Sequence, residues 1–361
     1  MQIQINNYAF INRLSFYGNH SPEKQDSCDV SKLVNKRKLL DSFIRMVRID
    51  TTSNPEKAML ETPSTNSQRI FAQKLKYKLR DLGVQDVNIE NHNFVTGRIP
   101  SNVPEVNEKI ALFAHMDTKP PGRNIRPIIR RHYDGKNVYL NSRTYINKRE
   151  LQNHVGKTLI TSDGETILGA DDKAGIAEIL EALRIYKEHP ELKHPEIKIA
   201  FTPDEECSTQ GITKFNIKKF GADAGYTIDG DALDIIDEEY VPEYQLIQEP
   251  FASFKKNIKF QIHKDKENAK IEKRASKMHD ITQKLIENAK KGLRKSGFEP
   301  FVEWDRGITD GSYLSMEGLP TANLGTGGHN GHLRTEYITL EDMGKSVENI
   351  INTMSAWAEK K

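Results

Sequence analysis

Residues 168–206 read LGADDKAGIAEILEALRIYKEHPELKHPEIKIAFTPDEE, and this stretch decides the fold class. After the acidic pair Asp171 and Asp172, apolar residues recur at helical spacing on one face, namely Ile176, Ile179, Leu180 and Leu183. Such a face packs a helix against a sheet. The next apolar run, IKIAF at residues 197–201, has the length of a buried strand and ends just before three acidic residues. The stretch therefore predicts an acidic turn, a covering helix and a strand in succession.

The same alternation of short apolar runs and helical patterns continues on both sides of this stretch. KIALFAHMD at residues 109–117 precedes it, and AGYTIDG at residues 224–230 follows it. Two helical patterns, beginning at Lys38, open the folded part. The C-terminal pattern TLEDMGKSVENIINTMSAWAEK begins with Thr339 and Asp342, which resemble a capping box. The alternation predicts an α/β fold with a mixed sheet flanked by helices.

Three kinds of segment are predicted along the chain. Residues 1–37 are polar and are expected to form an N-terminal extension. Residues 38–230 and 277–361 are assigned to the main domain, and the second part includes the helix MHDITQKLIENAKKGLRKSG and the strand FEPFVEW. Residues 231–276 differ in composition, because an acidic aromatic stretch is followed by a charge-rich run. We predict that this last segment is a small insert.

The charge balance argues against several classes of partner. The 361 residues include 53 basic and 51 acidic side chains, so the net charge of +2 gives no broad field that attracts nucleic acid or membrane. The apolar runs are too short for a spanning helix or a secretory signal. The two cysteines, Cys28 and Cys207, argue against a disulfide framework and fit a reducing compartment. We expect a cytoplasmic protein without nucleic-acid or membrane partners.

Metal-binding side chains follow the ends of the apolar runs. Each of the segments FAHMDT, GADDKAG, FTPDEE, YTIDG and TGGHNGHLRTEY alone has a simpler explanation, because acids also cap helices and histidines also occupy solvated loops. Their joint occurrence favours a single site, since the ends of strands in α/β sheets are where ligands usually bind. Histidines and carboxylates without cysteine ligands suit zinc or another first-row divalent ion in an open catalytic site.

The spacing within these segments supports a paired site. His115 and Asp117 are two apart at a predicted strand end, so the carboxylate can orient the imidazole. Two ions ~3.5–4 Å apart need a shared ligand, and a carboxylate is the natural bridge. Asp171 and Asp229 are both candidates for that bridge.

Read together, the motifs resemble the peptidase T family of tripeptide aminopeptidases. The matching motifs are AHMDT, LGADDKAGIAEI, AFTPDEE, FGADAGYTIDG, RGITDG and TGGHNGHLRTE, with LLDSFIRMVRIDTTS near the start. The resemblance covers residues 38–230 and 298–361. It implies a di-zinc exopeptidase-like catalytic domain that acts on short peptides, with two Zn²⁺ as cofactors and Mn²⁺ or Co²⁺ as alternatives.

The resemblance also implies a role for individual motif residues. Asp171 would be shared by two metal sets, which are His115, Asp171 and Asp229 for one ion and Asp171, Glu206 and His332 for the other. Asp117 would support His115 from behind, and Glu205 would be the general base. The peptide bond between Asp171 and Asp172 is expected to be cis, although this geometry is costly outside proline.

The chain departs from the family pattern between the segments that carry Asp229 and Arg306. The family inserts an α/β lid domain there, whereas only about residues 231–276 remain for a lid in this chain. The lid's His-Pro-Gly motif is not found, and the residues around His263 do not match it. Thr335 replaces the family's usual second histidine in the last motif. We therefore expect a shortened lid and make no prediction of the oligomeric state.

Three functions remain open from the sequence. The first is a zinc aminopeptidase that releases the N-terminal residue of tripeptides; Arg306 would then be a candidate contact for the substrate carboxylate, with a structural salt bridge as its alternative role. The second is a non-catalytic or impaired metal-binding homologue that lost its lid. The third is a related N-acyl amino acid amidohydrolase. Glu205 favours catalysis, because a protein that only binds metal needs no general base.

Overall fold

A computed structural model describes residues 29–230, 232–238, 266–304 and 309–359 of the chain. The helices are α1 Lys36–Val47, α2 Pro55–Ala58, α3 Asn66–Asp81, α4 Ala170–Glu188, α5 Ile217–Phe220, α6 Lys266–Lys295, α7 Asp310–Met316 and α8 Leu340–Trp357. The strands are β1 Gln85–Ile89, β2 Val95–Ile99, β3 Lys109–His115, β4 Ile128–Arg130, β5 Val138–Tyr139, β6 Tyr145–Ile146, β7 Leu159–Thr161, β8 Glu196–Thr202, β9 Ala224–Ile228, β10 Ile235–Glu238, β11 Phe301–Trp304, β12 Thr321–Leu324, β13 Gly328–His329 and β14 Tyr337–Thr339.

The described strands form one large mixed sheet and two smaller sheets. The large sheet has the order β1-β2-β8-β3-β9-β12-β10-β11. Its centre is parallel, because β8, β3, β9 and β12 pair in the same direction. Antiparallel pairing of β2 with β8 and of β10 with β12 surrounds this centre. The mixed sheet predicted from the alternating sequence pattern is confirmed.

Strand β3 shows why the sheet is covered on both faces. Ile110, Leu112 and Ala114 belong to the main hydrophobic core, whereas Ala111 and Phe113 belong to a second core on the opposite face. Successive side chains of a strand point to opposite faces, so a continuous apolar run is buried from both sides. This burial fixes the register of β3 beside β8 and β9, and with it the position of the residues that follow each strand.

Helices α4 and α8 cover the main-core face of the sheet. The predicted face of α4 is fully packed, since Ile176, Ile179, Leu180 and Leu183 are at most 4% exposed. Helix α8 begins at the expected cap, where the Thr339 hydroxyl accepts the backbone N–H of Asp342 at 3.1 Å. The indole N–H of Trp357 near the end of α8 donates to the Tyr226 hydroxyl on β9 at 3.0 Å. This hydrogen bond ties the last helix to the central strands.

A four-stranded sheet of order β13-β14-β7-β4 lies beside the large one. Strand β7 leads toward Asp171 and α4, while the connection from β13 to β14 carries His332. Strand β14 pairs with β7 in antiparallel register, with Ile338 opposite Ile160. The small sheet thus holds two segments of the predicted metal site at a fixed separation.

The segment boundaries differ in detail from those expected. A 3-10 turn at Val30–Lys32 and the start of α1 at Lys36 lie within the predicted extension 1–37, whose residues 1–28 lie outside the described residues. Strand β10 lies within the predicted insert 231–276 yet pairs with β12 in the large sheet. Helix α6 begins at Lys266, and residues 239–265 lie outside the described residues. The division into a catalytic domain and a lid stays a prediction. Within the described part of the chain, no helix has the length and apolar character required to span a membrane.

Candidate metal centre

The predicted site residues meet at one edge of the large sheet. Strands β3, β8 and β9 are parallel, so the residues at and just beyond their carboxyl ends lie side by side. His115 ends β3, Glu205 and Glu206 follow β8, and Asp229 follows β9. The backbone pairing alone therefore brings together groups that are up to 114 positions apart in the chain.

Asp171 lies between the two imidazoles of this centre. Its Oδ1 atom is 2.7 Å from His115 Nε2, and its Oδ2 atom is 2.9 Å from His332 Nε2. Glu206 Oε2 is also 2.9 Å from His332 Nε2, and Asp229 Oδ2 is 3.7 Å from His115 Nε2. Contacts of 2.7–3.7 Å thus link the five predicted ligand positions, and Asp171 contacts both histidines.

The donor set fits divalent cations. Ligand atoms of His115, Asp171 and Glu206 lie within 4.8 Å of one another, and a second group joins His115 to Asp172 and Asp229. Glu206 Oε1 is buried and has no hydrogen-bond partner within the described part of the chain. An orphaned carboxylate oxygen is costly unless a cation or proton neutralises it. Imidazole nitrogens with carboxylate oxygens are the ligands that zinc and neighbouring metals take.

The pKa shifts report an excess of negative charge at this edge. Burial, reinforced by the Asp171 carboxylate, raises the pKa of Asp229 to about 7. Hydrogen bonds with Asp171 and then Glu206 raise the pKa of His332 to about 10. Burial raises the pKa of Glu205 well above its usual value, with His115 opposing the shift. Crowded carboxylates repel one another unless positive charge separates them, which is the condition that metal ions satisfy.

Asp117 contacts two segments of the centre, the turn after β8 and the end of β3. Its carboxylate is fully buried and accepts the backbone N–H groups of Glu205 at 2.9 Å and Glu206 at 3.2 Å. His115 Nδ1 is 3.1 Å from the Asp117 carbonyl oxygen and 3.6 Å from its Oδ1 atom. The sequence pattern predicted the contact of Asp117 with His115. The hydrogen bonds between Asp117 and the turn after β8 are visible only in the folded structure.

The turn that carries Asp171 is held by a residue that sequence reasoning missed. Glu336 is buried, and its Oε2 atom accepts the backbone N–H groups of Leu168 at 2.6 Å and Gly169 at 2.7 Å. Its Oε1 atom accepts the N–H of Asp171 at 3.1 Å. Gly169 has a φ of +73°, a conformation that suits glycine. One carboxylate thus holds the backbone N–H groups on both sides of the left-handed turn that precedes Asp171.

The peptide bond between Asp171 and Asp172 is cis, as the resemblance implied. The Asp172 carboxylate contacts two backbone N–H groups. Its Oδ2 atom accepts the N–H of His115 at 3.1 Å, and its Oδ1 atom accepts the N–H of Gly175 at 3.0 Å. Both oxygens of Asp172 therefore stabilise backbone groups, which distinguishes this aspartate from its neighbour.

Asp310 is a second residue that sequence reasoning missed. It starts α7 within the RGITDG motif, and its Oδ2 atom accepts the Thr202 hydroxyl at 2.6 Å. Its Oδ1 atom is buried without a hydrogen-bond partner within the described part of the chain. Asp310 lines a small cavity with His115, Glu205 and Asp229. The RGITDG motif was the available signal in the sequence, and the residue predicted from it, Arg306, lies outside the described residues.

The two histidines of the glycine-rich loop have different surroundings. His332 points into the centre, whereas His329 stacks on the Tyr337 ring with centroids 4.7 Å apart. His329 also faces His154, whose Nδ1 atom is 3.3 Å from Asp342 Oδ2. Burial lowers the pKa of His329 to about 4. His329 thus packs on the side of the loop that faces the start of α8, whereas His332 faces Asp171 and Glu206.

Comparisons with known proteins agree with this architecture. Peptidase family M20/M25/M40 matches residues 163–356. Peptidase T of Caldanaerobacter subterraneus is 33% identical over 409 aligned positions, covering 90% of this chain and 99% of the relative. The crystal structure of aminopeptidase PepT from Bacillus cereus has a TM-score of 0.62 at 22% identity, covering 91% of this chain and 100% of that one. A dinuclear metal-binding peptidase of the M20 family from Bacillus subtilis has a TM-score of 0.52 at 12% identity, covering 91% and 100%.

The fold and the sequence matches define the class of this protein, a metallopeptidase. The chain belongs to peptidase family M20/M25/M40, and within it to the group of relatives named Peptidase T. The predicted resemblance, fold and enzyme class, a metallo-aminopeptidase of the peptidase T type, are thereby confirmed. The alignment with the Caldanaerobacter relative is longer than the 361 residues of this chain, so that relative carries residues that this chain lacks.

Proposed function

We propose that the protein is a zinc-dependent aminopeptidase that releases the N-terminal residue of tripeptides. The observation that carries this proposal is the position of Asp171, whose two carboxylate oxygens face His115 and His332 separately. A carboxylate shared between two imidazole-bearing sites is the arrangement that a pair of metal ions requires. The name and sequence identity of the peptidase T relatives support the same function.

We assign five side chains to the two ions. His115, Asp171 and Asp229 would hold one, and Asp171, Glu206 and His332 would hold the other. Zinc suits this nitrogen and oxygen set, with Mn²⁺ or Co²⁺ as alternatives. When bound, the ions would supply Lewis acidity that lowers the pKa of water and polarises the scissile carbonyl.

Glu205 is assigned as the general base. Its backbone N–H is fixed by the Asp117 carboxylate at 2.9 Å, and its side chain lines the same cavity as His115 and Asp229. In this position Glu205 would take a proton from the attacking water and deliver it to the leaving amine. Asp117 would act through both His115 and Glu205, because it contacts the first and anchors the second.

The acidic centre also supports cleavage at the amino end of a peptide. The side chains of Glu205, Asp229 and Asp310 line one small cavity. A free α-ammonium group is attracted to such a region, whereas an N-acyl group offers no positive charge. This charge difference favours aminopeptidase action over the amidohydrolase alternative.

The shortened interval after Asp229 motivates a second candidate, a metal-binding homologue that turns over peptides poorly. A lid excludes water and completes a site on closure, so its reduction would weaken substrate closure. The longer alignment with the Caldanaerobacter relative supports the loss of residues in this chain. A cytoplasmic location remains a prediction from the cysteine content.

Metal content and hydrolysis, measured on one preparation with and without chelator, test these candidates. We expect two metal equivalents per chain and chelator-sensitive release of the first residue from a free-amine tripeptide. N-acylated dipeptides serve as the matched substrate for the amidohydrolase. Two bound ions without turnover of either substrate would establish the non-catalytic homologue and refute the aminopeptidase.

A further inference from the structure

Lys119 projects from a loop that is anchored on both sides. Thr118 forms two backbone hydrogen bonds with the segment between α1 and α2. Its N–H donates to the Thr51 carbonyl at 3.2 Å, and its carbonyl accepts the N–H of Ser53 at 3.1 Å. The Pro121 carbonyl accepts the N–H of Ile167 at 3.1 Å. The backbone of Lys119 is thus fixed two residues beyond Asp117, while its half-buried side chain retains its own freedom.

The Lys119 ammonium reaches the outer side of the centre. Its Nζ atom is 3.2 Å from His332 Nδ1, and the opposite nitrogen of that ring, Nε2, faces Asp171 and Glu206. Within the described ranges, no carboxylate oxygen lies within 4 Å of this ammonium. Arg123, four residues further along, is already matched by Asp50 at 3.7 Å. Lys119 therefore brings a positive charge that the described carboxylates do not neutralise.

The contact with His332 is incompatible with a ligand role of that ring. If Nε2 binds a cation, the neutral imidazole carries its proton on Nδ1, which then becomes a donor. An ammonium group has three donors and no acceptor, so two donors would face each other. The Lys119 side chain must then rotate away from Nδ1. Its anchored backbone keeps the ammonium beside the centre.

A short peptide presents a suitable partner at this distance. In a tripeptide cleaved after its first residue, the free carboxylate lies at most ~7 Å beyond the scissile bond, because an extended residue spans ~3.5 Å. The ammonium in the present rotamer lies one imidazole ring away from the nitrogen assigned to the metal. The flexible stem of lysine covers the remaining distance. The side chains of Glu205, Asp229 and Asp310 offer a substrate carboxylate no positive charge, so a lysine beside the centre is the group that can pair with it.

We propose that Lys119 binds the C-terminal carboxylate of the peptide substrate and thereby selects short peptides over longer or amidated ones. This inference rests on the proposed aminopeptidase function and adds to it the residue that makes the enzyme selective for short peptides. A peptide with further residues would place its carboxylate beyond the reach of Lys119. A C-terminal amide would lose the charge-assisted part of the contact.

The test compares a tripeptide with its C-terminal amide in the zinc-loaded full chain. We expect the wild type to favour the acid about tenfold in kcat/KM, the lower range for a hydrogen bond to a charged group. Lys119→Met should abolish this preference through KM with little change in kcat, and Lys119→Arg should retain most of it. Lys148→Met, which alters an exposed lysine elsewhere, is the matched control.

Calorimetric binding provides a readout that does not depend on turnover. The ligands are tripeptide analogues whose scissile amide is reduced to a methyleneamine, in acid and amide forms. If the wild type cleaves no peptide, the proposed function fails, yet an acid preference in binding that vanishes in Lys119→Met would still uphold the role of Lys119. An equal acid preference in wild type and Lys119→Met, or none in the wild type, overturns the inference.

Discussion

At the scale of single residues, the adjacent acids Glu205 and Glu206 have different surroundings and different assigned roles. Glu206 Oε2 contacts the His332 ring, whereas Glu205 faces the cavity shared with Asp229 and Asp310. Asp117 holds both backbone N–H groups, so the two side chains leave one turn in fixed but different directions. Neighbouring carboxylates of the same type can therefore serve as a metal ligand and a proton acceptor.

This division predicts the behaviour of Glu205→Ala. The variant should keep two metal equivalents per chain, because Glu205 is assigned no contact with the ions. Its kcat should fall by about 10²–10⁴, the usual contribution of a positioned general base. Metal analysis and steady-state kinetics on the same sample check both parts, with the exposed Glu317→Gln as control. An unchanged rate would refute the assigned role.

Glu336 supports a second prediction at the same scale. Glu336→Gln should weaken binding of both ions by about 10–100-fold, since groups behind a ligand commonly contribute this much to metal affinity. The physical reason is that Asp171, whose N–H is held by Glu336, is shared by both sets. Competition with a chromogenic chelator measures the affinities. Loss of thermal stability with both affinities unchanged would show that Glu336 acts only on the fold.

Much of the centre was predictable from sequence because each ligand follows an apolar run. His115 and Asp229 end strands whose burial is legible in the sequence, and parallel pairing brings strand ends together. From the residues alone both Asp171 and Asp229 stayed open as the shared ligand, because the direction of a carboxylate after a turn is not legible in a sequence; only the resemblance implied Asp171. Glu336 also escaped, since its partners are backbone groups that a sequence does not display.

At the scale of elements, Asp342 at the start of α8 takes part in both the helix cap with Thr339 and an ion pair with Lys157. Asp342 Oδ1 is 2.7 Å from Lys157 Nζ, and Oδ2 lies 3.3 Å from His154 Nδ1. Burial alone would raise the pKa of Asp342, but the hydrogen bonds to His154 and Lys157 outweigh it and lower the pKa below its usual range. The Asp342 carboxylate thereby connects the start of α8 to Lys157, before β7, and to His154, which contacts His329.

This lowered pKa predicts a dependence of stability on pH. A group whose pKa is depressed in the folded state contributes stability that is present above its unfolded pKa, about 3.9, and is lost as the pH falls through the folded value. Asp342→Asn should therefore be less stable than wild type at pH 7, by roughly 1.5–3 kcal/mol, with the gap closing below pH ~4. Denaturant unfolding from pH 7 to 3 measures this gap, and the exposed Asp41→Asn is the control. A gap that stays constant over this range would contradict the linkage.

The elements themselves were more predictable than their ends. Helix α4 and strand β3 follow directly from periodic burial, because a packed face and a two-sided strand leave clear patterns. The sequence placed β10 in the predicted insert, because its four residues are part of an acidic stretch and show no clear strand pattern. Its place between β12 and β11 comes from long-range pairing, which local composition does not encode.

At the scale of the whole molecule, the proposed ions would join parts of the chain that are distant in sequence. The assigned ligands come from β3, the first residues of α4, the turn after β8, the residue that follows β9 and the loop between β13 and β14. Binding to the folded state alone stabilises a protein by an amount that grows with ligand concentration. Removal of the ions should therefore loosen the whole domain rather than one loop.

Chelation provides the corresponding measurement. Each ion present at a hundred times its Kd contributes about 2.7 kcal/mol, so a chelator should lower the Tm by several degrees. Adding Zn²⁺ back should restore the Tm. Asp171→Asn, which removes the shared ligand, should have a low Tm that responds weakly to either treatment. A wild-type Tm indifferent to chelator would argue against an ion-linked domain.

The position of β10 in the large sheet has a consequence for how such a protein can change over time. Strand β10 pairs with β11 at one edge of the large sheet, and β12 lies between β10 and the strands β9, β3 and β8. Material added or deleted after residue 238 should therefore leave the hydrogen-bond register of β8, β3 and β9 unchanged. The architecture is therefore modular at this point, and a foreign lid grafted between residues 238 and 266 should find the catalytic frame already assembled.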